Sequence, residues 1–213
     1  MLKQYKRSLV VTTLITLLPI LVGVLLWNQL PQQMATHFDW RGEANGWSGR
    51  AFTVFGLPCM LAGFHLLCAV GTAADPRRRN ISSKLFHLLL WICPLCSWFC
   101  SVATYAYALG VNLDISLLTV GFMTVLFVVV GNYLPKCRQN YTMGIKLPWT
   151  LADEENWNHT HRFAGWLWTL CGVLMFPVYL LGWKIGILVL FAIMVLLPVG
   201  YSYLYYRRHF KEE

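Results

Sequence analysis

The chain has 213 residues with 17 Lys or Arg against 9 Asp or Glu, a formal net charge of +8, and 57% hydrophobic content. The charges crowd into short segments between long apolar runs, a pattern that excludes an ordinary soluble domain, whose surface would spread them evenly. No basic stripe with interleaved stacking aromatics is present, so the positive charge does not point to nucleic acid.

Six stretches carry no charged residue: 8–27, 51–74, 85–113, 115–135, 163–183 and 185–206. A helix needs roughly 20 residues to cross about 30 Å of hydrocarbon, and each stretch is long enough. Burying one charge there costs about 2.5–3.5 kcal/mol on the mildest scale. The sequence therefore predicts an all-α polytopic membrane protein of six spans. The first run is too long for the apolar core of a signal peptide, and no small-residue cleavage site follows it, which predicts a retained first span.

Placing the N-terminus in the cytoplasm puts every Lys and Arg on the inner side except Arg41, Arg50 and Lys184. Lys211, near the C-terminus, belongs to that inner set. This bias predicts both termini inside, with the basic rim facing anionic headgroups of the bilayer. Trp27, Trp40, Trp47 and Trp183 then mark the outer boundary, and Tyr133, Tyr203, Tyr205 and Tyr206 the inner one.

The first connector, 28–50, lies outside and is long enough to carry chemistry; it is expected to be a loop packed on the outer mouth. His37, Asp39 and Glu43 lie in it, but no metal-binding spacing supports them as ligands. In the second span His65 is the most deeply placed ionisable side chain. No other ionisable group accompanies it, so a neutral imidazole bonded to a neighbouring helix is expected. The basic connector Asp75–Lys84 reads as an ordinary linker. Cys93-Pro94-Leu95-Cys96 has redox spacing, yet reads better as soft packing in a Pro-kinked span. None of the seven cysteines lies in an outer loop, so no disulfide framework is expected. Prolines recur within spans at 19, 58, 94, 177 and 198, where neighbouring helices must satisfy the carbonyls they free. Asn112–Asp114 and Gly182–Lys184 form short turns.

The inner connector, 136–162, is rich in residues of fixed geometry. Gly144 permits a positive φ, and Pro148 drives Leu147 to an extended conformation. Thr150 reads as an N-cap with Asp153 three residues later, predicting a helix from Leu151 that runs unbroken into span five. Trp157, Thr160, His161, Ala164 and Gly165 would share one face of it. Asn132, at the inner end of span four, is expected to bond across the bundle, and Asn140 to fix the connector. Lys146, Arg138 and Arg162 form a cationic set suited to a phosphate headgroup. No nucleophile elbow, phosphate loop or metal motif appears, so no catalytic residue, metal or cofactor is assigned.

The segments Gly131-Asn132, Asn140, Gly144-Ile145-Lys146-Leu147-Pro148-Trp149-Thr150-Leu151 and Trp157…Thr160-His161-Arg162…Gly165 resemble the signature of the SdpI family. Lys146 and Leu147 stand where that family commonly has Arg and Thr, which keeps the charge but loses a bidentate guanidinium. Upstream, Pro31…His37-Phe38…Gly42-Glu43…Gly46-Trp47…Arg50 resembles the extracellular motif of a domain of unknown function that often precedes the SdpI region. The resemblance divides the chain into 1–113, with the outer motif, and 114–213, with the inner connector. It implies a bacterial inner-membrane immunity and signalling protein, with a peptide toxin as partner outside and a regulator inside. The residues it implies are Asn132, Asn140, Gly144, Lys146, Pro148, Trp149, Thr150, Trp157, Thr160, His161 and Arg162, with His37, Gly42, Glu43 and Trp47 outside. The alternative reading is a membrane enzyme or transporter acting on a lipid or small molecule through Asn132, Lys146, Trp149, His161 and Arg162.

Overall fold

The computed structural model describes residues 1–210; Lys211, counted with the basic rim, lies outside the described residues. The elements run α1 (Lys6–Leu17), α2 (Pro19–Leu25), β1 (Gln33–Phe38), β2 (Ala44–Gly49), a π-helical turn (Phe52–Gly56), α3 (Leu57–Ala73), α4 (Ser83–Ala108), α5 (Ile115–Tyr133), α6 (Pro148–Ala152), α7 (Glu154–Leu180) and α8 (Lys184–Phe210). Six helical stretches among the described residues are long and apolar enough to cross a membrane: Lys6–Leu25, Phe52–Ala73, Ser83–Ala108, Ile115–Lys136, Glu154–Leu180 and Lys184–His209. They coincide with the six charge-free runs. Their exposed leucines and aromatics, such as Leu14, Leu67 and Trp166, suit contact with lipid tails rather than water.

The chain forms two compact units, Met1–Ala73 with Phe86–Leu118, and Ala74–Leu85 with Thr119–Glu213. In the first unit, α1 supplies a row of polar contacts one helical turn apart. Ser8 reaches the His87 ring at 3.4 Å, Thr12 reaches His65 Nε2 at 3.0 Å, and Ser97 donates to the Thr16 carbonyl at 2.7 Å. His65 is 1% exposed and bonded to a neighbouring helix, as its isolation in the sequence suggests. Pro19 has no N–H for the Ile15 carbonyl, four residues earlier. Trp98 Nε1 donates to that carbonyl at 3.1 Å, alongside a longer Leu18 N–H bond.

The connector 28–50 departs from the expected loop: it is an antiparallel β-hairpin. The strand signal is weak in sequence because the apolar residues of β1, Met34, Ala35 and Phe38, do not alternate and both strands are bulged. Met34, fully buried, drops from β1 into a cluster with Leu30, Val54 and Tyr105. Phe38 meets Tyr107 edge-on at 5.1 Å, so the hairpin is seated on the ends of its own unit's helices.

In the second unit α7 and α8 form a long antiparallel pair, turned by Gly182 at φ 73°. Phe127 of α5 packs edge-on against Trp168 and Phe191. Lower down, α5 and α7 approach backbone to backbone. A Cβ on Gly131 would lie 2.9 Å from the Gly165 carbonyl, and one on Gly165 would strike the Pro135 ring. Here too a tryptophan serves a proline: Trp168 Nε1 donates at 2.9 Å to the Met194 carbonyl, which Pro198 leaves without its helical partner.

If Trp168 is there to satisfy that carbonyl, its value should depend on the proline. We predict that Trp168→Phe lowers stability by about 1 kcal/mol in detergent unfolding, and by clearly less in a Pro198→Ala background, where residue 198 regains an N–H. Equal costs in both backgrounds would refute the pairing.

Candidate functional site

The second unit concentrates its polar side chains in the connector between α5 and α7. The helix expected to run unbroken from Leu151 is interrupted. Residues Pro148–Ala152 form the single turn α6, Asp153 adopts an extended conformation (φ −127°, ψ 122°), and α7 starts at Glu154. Asp153, not Thr150, caps α7: its carboxylate accepts the N–H groups of Glu155 and Asn156 at 2.9 and 3.0 Å. Thr150 instead ties α6 to the chain before it. Its hydroxyl accepts the Leu147 N–H and donates to the Ile145 carbonyl, each at 2.9 Å. Leu147 is extended, as its place before Pro148 requires.

Three buried side chains hold the rest of the connector. Asn140 folds it by accepting the N–H groups of Thr142 and Met143 and donating to the Arg138 carbonyl. Trp157 sends its indole N–H to the Cys137 carbonyl at 2.7 Å and stacks on His161, with centroids 4.0 Å apart. His161 Nδ1 lies 2.8 Å from the Trp157 carbonyl, which can only accept, so the proton sits on Nδ1. Nε2 then accepts the Ile145 N–H at 2.9 Å. Both ring nitrogens are committed to backbone, which leaves neither available for proton transfer or metal binding. Gly144, at φ 105°, passes directly over this pair, where a Cβ would meet His161 Nε2 and the Trp157 ring.

A second network joins α6, α7 and α8. Trp149 Nε1 donates to the Ser202 hydroxyl at 2.6 Å, Ser202 donates to Asn156 Oδ1 at 3.0 Å, and Thr160 donates to the same oxygen at 2.9 Å. Trp157, Thr160, His161, Ala164 and Gly165 are all buried, on the shared face read from their spacing. Three other residues of the motif stand apart. Lys146 is exposed, with Nζ on the Thr142 carbonyl, and Arg162 is exposed. Asn132, expected to bond across the bundle, is exposed instead, because its position on α5 turns away from the Gly131–Gly165 contact.

The connector Asp75–Lys84, which reads as an ordinary linker in sequence, is bonded to the connector between α5 and α7. Asp75, 2% exposed, accepts the Arg77 N–H with one carboxylate oxygen and the Tyr141 N–H and Thr142 hydroxyl with the other. Arg77 donates to Gln139 Oε1 and covers the Tyr141 ring, and Asn80 donates to the Gln139 carbonyl at 2.8 Å. Gln139 passes the chain of bonds on to the Thr150 and Leu151 carbonyls. Sequence reasoning missed Asp75, Gln139, Asn156 and Ser202. One signal was available: Asp75 is the single acid in an otherwise basic connector.

In the hairpin of the first unit, His37 Nδ1 lies 2.5 Å from Asn45 Oδ1, and Asp39 accepts the N–H groups of Arg41 and Glu43 to shape the tip. Gly42 turns it at φ 82°, against Ser116. Trp47 projects with 55% of its surface exposed. Arg50 pins the hairpin's base by donating to the Trp27 and Leu30 carbonyls at 2.7 and 2.9 Å, with its guanidinium over the Trp27 ring.

Residues 136–202 match the SdpI/YfhL protein family, and residues 14–62 match a domain of unknown function, DUF1648. Over 211 residues the chain is 26% identical to the immunity protein SdpI of Bacillus subtilis (strain 168), covering 93% of this chain and 96% of that one. No solved structure matches it. The six spans and this likeness make the chain a multi-pass protein of the bacterial inner membrane.

Two outcomes follow from the connector. We predict that Gly144→Ala costs about 2–3 kcal/mol, from the positive φ and the collision with His161; a thermal shift within error of zero would contradict the geometry. Burial pushes the Cys137 thiol up to about 11. A folded-state value raised above the unfolded one favours the protonated form, so this stabilisation is complete below pH 9 and is lost as pH climbs from 9 to 11. N-ethylmaleimide at pH 7.5 should modify Cys137 only after unfolding, read by mass spectrometry.

Proposed function

We propose that this protein, which carries the SdpI/YfhL region, is a membrane immunity protein that shields its host from a secreted, membrane-active peptide. In this reading the 28–50 hairpin faces outward and meets the peptide, while the 136–153 connector faces the cytoplasm and passes occupancy to a regulator there. The observation that carries the reading is the likeness to a named immunity protein along nearly the full length of both chains. The distribution of Lys and Arg supports the orientation, since the two terminal segments and the connectors 75–84 and 136–162 together hold 14 of the 17. Three of the six candidate spans lie between the two connectors in the chain, an odd number of crossings, which supports assigning them to opposite sides in this reading.

The contrast between the connectors supports the division of labour. The hairpin presents Trp47 and backbone to its surroundings. The inner connector is closed on itself and shows Arg138, Lys146 and Arg162 on its exterior. A peptide bound outside can shift the inner surface only if it binds two bundle arrangements with different affinity. The commitment of both His161 ring nitrogens to backbone weighs against the enzyme alternative, which includes that residue.

The test is complementation. We predict that a Bacillus subtilis strain deprived of its own immunity protein, grown in spent medium of its parent, survives when it expresses this chain. Unchanged killing would refute the immunity role. In the same cells a membrane-impermeant maleimide should label Asn45→Cys and leave Trp149→Cys untouched.

A further inference from the structure

The hairpin has an open backbone edge, and the inference it supports rests on the capture role given above. The Arg50 N–H donates to the Gln32 carbonyl, and pairing continues through Gln33↔Gly49, Met34↔Ser48 and Ala35↔Trp47. Bonded and non-bonded pairs alternate along an antiparallel ladder. With Gln32 and Arg50 bonded, Met34 and Ser48 form the next bonded pair. Gly49 and Trp47 therefore direct their N–H and C=O groups away from β1. On β1 the outward-directed Ala35 is 1% exposed, whereas Trp47 on β2 is 55% exposed. The Thr53 hydroxyl takes the Gly49 carbonyl. The two outward N–H groups and the Trp47 carbonyl bond to no other element among the described residues.

Proteins guard such edges with lysine, proline or an inward charge, because an open edge is a template for another strand. β2 reads Ala44-Asn45-Gly46-Trp47-Ser48-Gly49 and has none of these. The edge is also polarised. Its tip holds Asp39 and Glu43 against Arg41, while its base ends at Arg50. The Arg50 guanidinium donates to carbonyls only, has no carboxylate partner among the described residues, and keeps a buried Nε without an acceptor. A positive charge left without a counter-charge beside unbonded backbone suits a carboxylate-bearing chain.

We propose that the free edge of β2 receives an extended peptide as a third strand, with a carboxylate of that peptide facing Arg50. Main-chain bonds to Trp47 and Gly49 supply affinity with little demand on the peptide's sequence, and the Trp47 ring covers one of its side chains.

Amide hydrogen exchange on the full chain in nanodiscs tests this, using as probe the peptide fraction of the spent medium from the survival experiment. Exchange at residues 47 and 49 should slow about tenfold or more on adding the fraction. Trp47→Ala keeps the N–H and should retain the slowing. Trp47→Pro and, independently, Gly49→Pro each remove one outward N–H while sparing the ladder bonds of Ser48 and Arg50; both should abolish it. Persistent protection of Ser48 and Arg50 verifies that each variant's hairpin is folded. Slowing that survives both proline variants overturns the proposal. So does slowing without the peptide fraction, whether it grows with protein concentration (a second copy of the chain) or needs only lipid. Cells protected with no change at 47 and 49 would overturn the edge and leave immunity standing. Slowing at the edge without protection of cells would do the reverse.

Discussion

Hydrocarbon offers no hydrogen-bonding partner, so polar groups within the spans are driven to find one in the protein, the buried Thr124 hydroxyl being an exception. That constraint accounts for most of the specific contacts in this structure. Two prolines free the Ile15 and Met194 carbonyls, and in each case an indole N–H from another helix meets the orphan. The hydroxyls of Thr12 and Ser202 and the rings of His65 and His161 are likewise spoken for. Tryptophan suits the task because it carries one donor on a large apolar body, so it satisfies a carbonyl without adding a second polar group to the slab.

The spans were legible because the signal is an exclusion, and excluding charge from twenty consecutive positions leaves few alternatives. Gly144 and Pro148 were legible because glycine alone readily takes a positive φ and proline restricts both itself and Leu147 before it. The break at Asp153 was not. Thr150 and Asp153 are both good caps three residues apart, and which of them starts the long helix depends on what each side chain reaches: the Ile145 carbonyl for one, the Asn156 N–H for the other. The hairpin escaped notice because its largest buried side chain, Met34, answers to Tyr105 and Val54, far away in sequence. Asn132 failed for a related reason: its neighbour Gly131 makes the close contact with α7, which leaves the next position facing outward.

The two connectors solve opposite problems. Between α5 and α7 almost every buried donor and acceptor is matched, and Gly144, Trp157 and His161 fit together so closely that no extra atom is accommodated. Such a segment moves as a body or not at all. The hairpin is held through Met34, Phe38 and Arg50, with Trp47 also meeting Tyr107 and Gly42 lying against Ser116, and keeps part of its backbone unmatched. One connector is closed by its own bonds, and the other keeps bonding capacity in its backbone.

Asp75 lies 66 residues upstream of Tyr141, the residue whose N–H it accepts. A ribosome adding about 5–20 residues per second emits those 66 residues over several seconds. Throughout that interval α3 and α4 can already be in the bilayer while the Asp75 carboxylate has the nearby Arg77 N–H but waits, hydrated, for its Tyr141 and Thr142 donors. Biogenesis of the second unit is therefore completed backwards, by a late segment closing on an early one.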